Sequence, residues 1–212
     1  TEIGFFAWLV LTYSFKFLWA PLVDRYSIPI LGAFGKRKSW ILFSQVIILF
    51  SLMGMSVIDP MQNLKLLALF AFFAAFFGSV QDVAIDALRI EMGDAKEQGN
   101  LAASYQLGYR IAILVASSMA LIFADILDWS NVYQIMSLFM IIGIFGALIC
   151  VESVNHEIAL LRIDLALLGA FKDFFSRFGL WMAGLLLLII STYRLTDIVM
   201  GPMSMPFYLD MG

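Results

Sequence analysis

Six apolar stretches, roughly residues 3–22, 39–58, 64–90, 100–124, 131–150 and 179–209, recur along this 212-residue chain. Each approaches or exceeds the length of about 20 residues that carries an α-helix across a bilayer. In hydrocarbon every backbone N–H and C=O must find its partner inside the segment, so long unalternating apolar runs can only be helices. The fold class that follows is an all-α integral membrane protein. Composition agrees: 62% of the residues are hydrophobic and 14% charged, against about 45–50% and about 25% in soluble domains.

The breaks between the stretches are legible. Pro21 and the loop DRYSIPILGAFGKRK close the first, Asp59-Pro60 the second and GDAKEQGN the third, with Asn100 as the expected N-cap of the fourth. LDWSN separates the fourth and fifth. Gly201-Pro202 and Pro206 interrupt the sixth, which at about 30 residues reads as one kinked or tilted helix. Residues 152–178 form the longest connection, and EIALLRIDLALLGAFKDFF within it is amphipathic, as an interfacial helix would be.

Placement of the cations sets orientation, since Lys and Arg collect on the cytoplasmic side. The connections after spans one, three and five hold Arg25, Lys36, Arg37, Lys38, Arg89, Lys96, Arg162, Lys172 and Arg177, whereas the opposite side holds Lys65. The N-terminus of the chain is therefore expected outside. Cys150 is the single cysteine, so an internal disulfide is excluded and the thiol reads as inert and half-buried. His156 falls in a connecting loop, and the Phe-rich FAFFAAFF reads as packing or lipid-facing surface. No basic patch with interleaved aromatics suggests nucleic acid. No cofactor and no metal site is expected.

The charges left inside the spans carry the chemistry. Asp82, Asp86 and Arg89 are spaced i, i+4, i+7 and share one face of the third span, extended by the small residues Gly78 and Ser79. Arg110 shares a face of the fourth span with Gln106 and Ser117, and Arg194 and Asp197 lie within the sixth. At 1.5 Å per residue, Asp82 lies about 13 Å and Arg110 about 15 Å from the same end of adjacent antiparallel helices. They are expected to meet. Cations and anions at matching depths are how a polar cavity is built in a membrane bundle. Plainer readings compete. Asp86 and Arg89 could cap or snorkel, Lys16, about 9 Å from its helix end, could snorkel, and Asp82 with Arg110 could be a static pair.

The loop APLVDRYSIPILGAFGKRKSW resembles the signature between the second and third helices of the major facilitator superfamily, at Asp24, Arg25, Gly35, Lys36, Arg37 and Lys38. Its spacing is longer than the usual form, and Pro21 stands where that form has glycine. FKFLWAPLVDRY, VQDVAIDA, LGYR and YRLTD together resemble the AmpG-type muropeptide permeases, along nearly the whole chain and in register with the spans. AmpG-like paralogues and the related acetyl-CoA carriers share the QD-x-x-x-D helix, so the substrate stays open among them.

The resemblance implies helices two to six of an N-terminal bundle in residues 1–151, a cytoplasmic central loop in 152–178 and the first helix of the C-terminal bundle in 179–212. The family's first helix and most of its second half have no counterpart here, so the chain by itself is not expected to transport, or is a non-transporting relic. What the resemblance implies for function is proton-motive-force-driven import of anhydro-muropeptides across the bacterial inner membrane, serving peptidoglycan recycling. In that reading Asp82 and Asp86 couple protons. Arg110, Arg194, Asp197, Gln106 and Lys16 bind substrate, and Asp24, Arg25, Lys36, Arg37 and Arg89 form a conformational gate. The partners implied are the substrate, protons, the bilayer and the missing half. An enzyme is the rival class, with two aspartates on a metal or as an acid–base dyad. The dense acidic motif with adjoining glycine and arginine that such enzymes carry is absent, and both aspartates sit on one helix.

Orientation is directly testable. In a Cys150→Ser background, cysteines at Ser27 and Gly169 should be shielded from an impermeant thiol reagent added to intact cells, while one at Asn63 should react; outside labelling of the first two would invert the topology.

Overall fold

The structure, a computed structural model, describes residues 11–29, 31–152, 169 and 172–192. The chain falls into two compact units, residues 1–160 and 161–212. In the first, a short helix α1 (Leu11–Ser14) passes through a 3-10 turn (Lys16–Leu18) into α2 (Ala20–Arg25). A second 3-10 turn (Leu31–Phe34) leads into α3 (Lys36–Ser56), followed by α4 (Leu64–Glu91), α5 (Gln98–Ala124) and α6 (Trp129–Ile149). The second unit contributes α7 (Lys172–Thr192). No strand occurs among the described residues, and α3 to α7 are each long and apolar enough to cross a membrane.

Several expectations are corrected. The described part of the first span is not one continuous helix, because it breaks at Phe15 and Trp19, and Pro21 opens α2 instead of closing the span. Proline is tolerated in a first turn, where its missing N–H has no intrahelical partner to lose. Asn100 is not a cap either. α5 begins two residues earlier, and Gln98 turns its side-chain amide onto the Ile90 and Gly93 carbonyls at the end of α4 (3.0 and 2.7 Å). The basic residues Lys36, Arg37, Lys38 and Arg89 lie in the end turns of α3 and α4, not in loops. Residues 172–178 are the first turns of α7, where Arg177 pairs with Asp173 (2.9 Å).

Helix α3 is the central element, packed between α4 and α6. Its buried positions include the small polar residues Ser39, Ser44 and Ser51, and Ser79 of α4 and Ser137 of α6 are buried too. Lipid offers no hydrophobic drive between helices, so close approach through small side chains stabilises the packing instead. Most of these hydroxyls donate to a carbonyl of their own helix: Ser39 to Lys36, Ser51 to Ile47, Ser79 to Phe76 and Ser137 to Gln134. The apolar contacts are Ile41 and Leu42 of α3, Val80, Ala84 and Leu88 of α4, Val23 of α2 and Ala147 of α6. The Phe-rich stretch packs in part, with Phe76 on Trp19 (4.9 Å between ring centroids) and Phe77 edge-on to Phe43 (5.6 Å). No residue of α5 is buried.

One end of the unit is locked by charge. The Arg37 guanidinium, 3% exposed, bonds Asp24 of α2 (2.6 Å), Glu91 of α4 (2.6 Å) and the Val23 carbonyl (3.2 Å). Glu152, just past α6, accepts the Arg37 and Lys38 backbone N–H groups at the start of α3 (2.9 and 3.0 Å). Lys38 in return donates to the Leu148 and Cys150 carbonyls at the end of α6 (3.0 and 2.6 Å). Each helix thus caps the other, an anion at a positive N-terminus and a cation at a negative C-terminus. Gly35 makes the junction possible: its φ of +121° suits glycine alone, and a Cβ there would run into the Glu152 carboxylate.

Two stability orderings follow. Glu91→Ala should cost about 3–5 kcal/mol by leaving Arg37 buried beside a lost partner, and more than Asp24→Asn, whose side chain is half exposed. Gly35→Ala should cost about 1–3 kcal/mol from backbone strain, with further loss from displacing Glu152. Thermal unfolding in detergent measures both. Asn63 accepts the Leu66 N–H at the start of α4 (3.3 Å), so Gln62 is the gentler reporter position on that side.

Candidate functional site

Asp82 lies nine residues before the end of α4 and one turn before Asp86. Lys16, in the 3-10 turn, reaches across to both, with Nζ 2.8 Å from Asp82 Oδ2 and 3.9 Å from Asp86 Oδ2. The second Asp82 oxygen, Oδ1, accepts the Tyr105 hydroxyl from α5 (2.9 Å). Asp86 also lies 3.8 Å from Arg89, whose guanidinium sits 5.7 Å from the Tyr105 ring centroid. Gly78 leaves room for the Tyr13 hydroxyl against α4, one turn above Asp82. Asp82, Asp86, Lys16 and Arg89 are all partly buried, and the carboxylates have cations within direct reach.

The local sequence explains this arrangement. Lys16 lies in the 3-10 turn between the breaks at Phe15 and Trp19, and from there its ammonium reaches α4. Gly78 and buried Ser79 let that segment approach closely. On α5, Tyr105 and Tyr109 are one turn apart and share a face.

The expected meeting of Asp82 with Arg110 does not occur. Arg110 is exposed and makes no ion pair among the described residues, and Asp82 pairs with Lys16 instead. The reason is azimuth. Arg110 follows Tyr105 by five residues, about 140° around a helix of 3.6 residues per turn, so when Tyr105 faces Asp82, Arg110 points away. Gln106, also exposed, is rotated off that face by about 100°. Arg194 and Asp197 lie outside the described residues.

The expected gate residues divide. Asp24 and Arg37 are joined in the junction at the ends of α2, α3 and α4. Arg25 stacks over the Tyr26 ring at 5.4 Å, Lys36 offers its carbonyl to Ser39, and Arg89 belongs with Asp86 and Tyr105. Sequence reasoning missed Glu91, Glu152, Tyr13 and Tyr105. Tyr105 lies seven residues after the start of α5, and spacing could have flagged it only if the rotation of that helix were known; Glu152 is separated from its partners by more than 110 residues, and no local pattern marks it. The Cys150 thiol is half-buried, 3.8 Å from the Met92 sulfur. Among the described residues, no cluster of His, Cys, Asp and Glu could hold a metal ion.

Comparison with known proteins gives the family. The profile of the Major Facilitator Superfamily matches residues 1–212. The anhydromuropeptide permease of Escherichia coli K12 is 36% identical over 92% of this chain and 39% of its own length. The putative transporter AmpG 4 of Rickettsia felis is 32% identical over 98% of this chain and 51% of its own. An uncharacterized protein of Haemophilus influenzae is 35% identical over 99% and 49%. The chain thus spans about two fifths to one half of the length of these relatives. With five described helices able to cross a membrane and a match along its whole length, this chain belongs to the Major Facilitator Superfamily, a superfamily of multi-pass transporters.

Proposed function

We propose that this chain is part of a proton-driven importer of anhydro-muropeptides in the bacterial inner membrane, with the basic helix ends at Arg25, Lys36 to Lys38 and Arg89 on the cytoplasmic side. The observation that carries the proposal is the cluster within the spans: Asp82 held between Lys16 and Tyr105, with Asp86 as a second carboxylate within reach of the same ammonium (3.9 Å). Ionisable groups inside membrane helices are expensive and mark ion or substrate pathways. The identity to the E. coli permease supplies the substrate class.

In this reading Asp82 is the proton carrier and Lys16 its counter-ion. While Asp82 is charged, Lys16 neutralises it. When Asp82 takes a proton, Lys16 is freed toward Asp86 or toward an anionic group of the substrate. Substrate binding and protonation then compete for one ammonium, which couples the two. Arg110, unpaired among the described residues, is a further candidate for a substrate carboxylate, with Gln106 beside it. Arg194 and Asp197 keep the roles the resemblance implies. The junction of Asp24, Arg37 and Glu91 holds helix ends together and is the candidate gate, since alternating access rocks bundles about a central site.

Radiolabelled anhydro-muropeptide uptake by the complete protein that carries this sequence tests the function. Proton-driven accumulation is expected, and its absence, with transport of another anionic solute, would reassign the substrate. Asp82→Asn should abolish accumulation against a gradient and retain substrate exchange; normal accumulation would remove Asp82 from the proton path. Lys16→Met and Asp82→Asn should each lower stability by about 1–3 kcal/mol by orphaning the partner. The double substitution should cost less than their sum, as a double-mutant unfolding cycle would show.

A further inference from the structure

We infer that Tyr105 is a positioning residue that sets how readily Asp82 takes up a proton. The inference rests on the reading of Asp82 as proton carrier and adds a residue to it. The two oxygens of the Asp82 carboxylate are held from different elements, Oδ2 by Lys16 from the 3-10 turn and Oδ1 by the Tyr105 hydroxyl from α5. A donor to a carboxylate favours its charged form, so the phenol opposes protonation. Lys16 has an alternative acceptor in Asp86, 3.9 Å away, whereas the hydroxyl of Tyr105 is directed at Asp82. The ring is fixed in turn by Arg89, which stacks over it from α4 at 5.7 Å and is itself drawn to Asp86 at 3.8 Å. Tyr105 also ties α5, a helix without a buried residue, to the acidic face of α4.

The other charged and titratable groups around α4 leave this role to Tyr105. From α1, the Tyr13 hydroxyl sits against Gly78, one turn before Asp82, and on α5 Tyr109 lies one turn after Tyr105. Arg110 of α5 forms no ion pair among the described residues. Of α2, Asp24 is engaged with Arg37, and Arg25 with Tyr26. Of α3, Arg37 binds Asp24 and Glu91, Lys38 binds the end of α6, and Lys36 lies at that same helix end. On α4 itself, Asp86 and Arg89 lie on the Asp82 face, Glu91 holds Arg37, and Lys65 is at the far end.

The test is pH-difference infrared spectroscopy of the complete protein in lipid, following the carboxylic C=O band that Asp82→Asn removes. Tyr105→Phe should raise the midpoint of that band by about one pH unit, the shift expected for losing a hydrogen bond to a charged group. Replacing Tyr105 with 3-fluorotyrosine, nearly the same size with a more acidic phenol, should lower the midpoint and serves where the Phe variant does not fold. Tyr109→Phe should leave it in place. An unchanged midpoint in both Tyr105 variants, or an equal shift from Tyr109→Phe, overturns the role of Tyr105 and leaves Asp82 as carrier. A band that does not titrate in the unsubstituted protein overturns the proton-carrier reading and this inference together.

Discussion

A guanidinium taken out of water holds the helix ends of the first unit in place. Arg37 is almost fully buried and must therefore be satisfied, and its partners come from α2 and α4 while its own backbone N–H is capped by Glu152 beyond α6. A buried charge without partners costs several kcal/mol, so the arrangement is close to all-or-none. Either these four chain segments converge at the start of α3, or Arg37 is left exposed to hydrocarbon or unpaired. The capping exchange between α3 and α6 works the same way, since Lys38 and Glu152 each satisfy backbone groups that helix termini leave open. Gly35 supplies the backbone conformation that brings the chain into this corner.

The cluster around Asp82 obeys a related rule with a looser result. Lys16, Asp82, Asp86 and Arg89 are all partly exposed, and Lys16 has two carboxylates within 4 Å. The buried junction fixes one geometry; the cluster leaves the ammonium a choice. That difference suits the proposed tasks, because a junction that holds helices must be unambiguous, whereas the proton exchange proposed for the cluster needs two arrangements of similar energy. Tyr105 belongs to this second set, reached from a helix that contributes nothing buried to the core.

The four spans from α3 to α6 were legible to within a few residues, whereas the first breaks and α7 starts seven residues before its expected position. α4 was expected over 64–90 and runs from Leu64 to Glu91, and α3, α5 and α6 agree with their expected spans to within about three residues at each end. The candidate site was legible in its anions and not in its partners. Asp82 and Asp86 stand out because a carboxylate in an apolar run has no cheap explanation. Lys16 reads locally as a snorkelling side chain or a substrate ligand, since nothing in the sequence around it reveals that its helix breaks on either side. Arg110 is five residues beyond Tyr105, the residue of α5 that meets Asp82, and it points away from that face, because counting residues along a helix does not tell which way a side chain faces.

By itself, then, the sequence determined the all-α membrane class, the bounds of α3 to α6, the order of the charges along those helices and the resemblance to a transporter superfamily. All of these depend on quantities local to the chain: apolar run length, 1.5 Å of rise per residue, and the side-chain types within a turn. Only the tertiary structure decided which charges meet. The rotation of each helix about its axis is set by packing against its neighbours, through Gly78, the buried serines and the Arg37 junction. A residue's partner depends on that rotation, and a difference of five positions, as between Tyr105 and Arg110, is enough to exchange a hydrogen bond for an exposed cation.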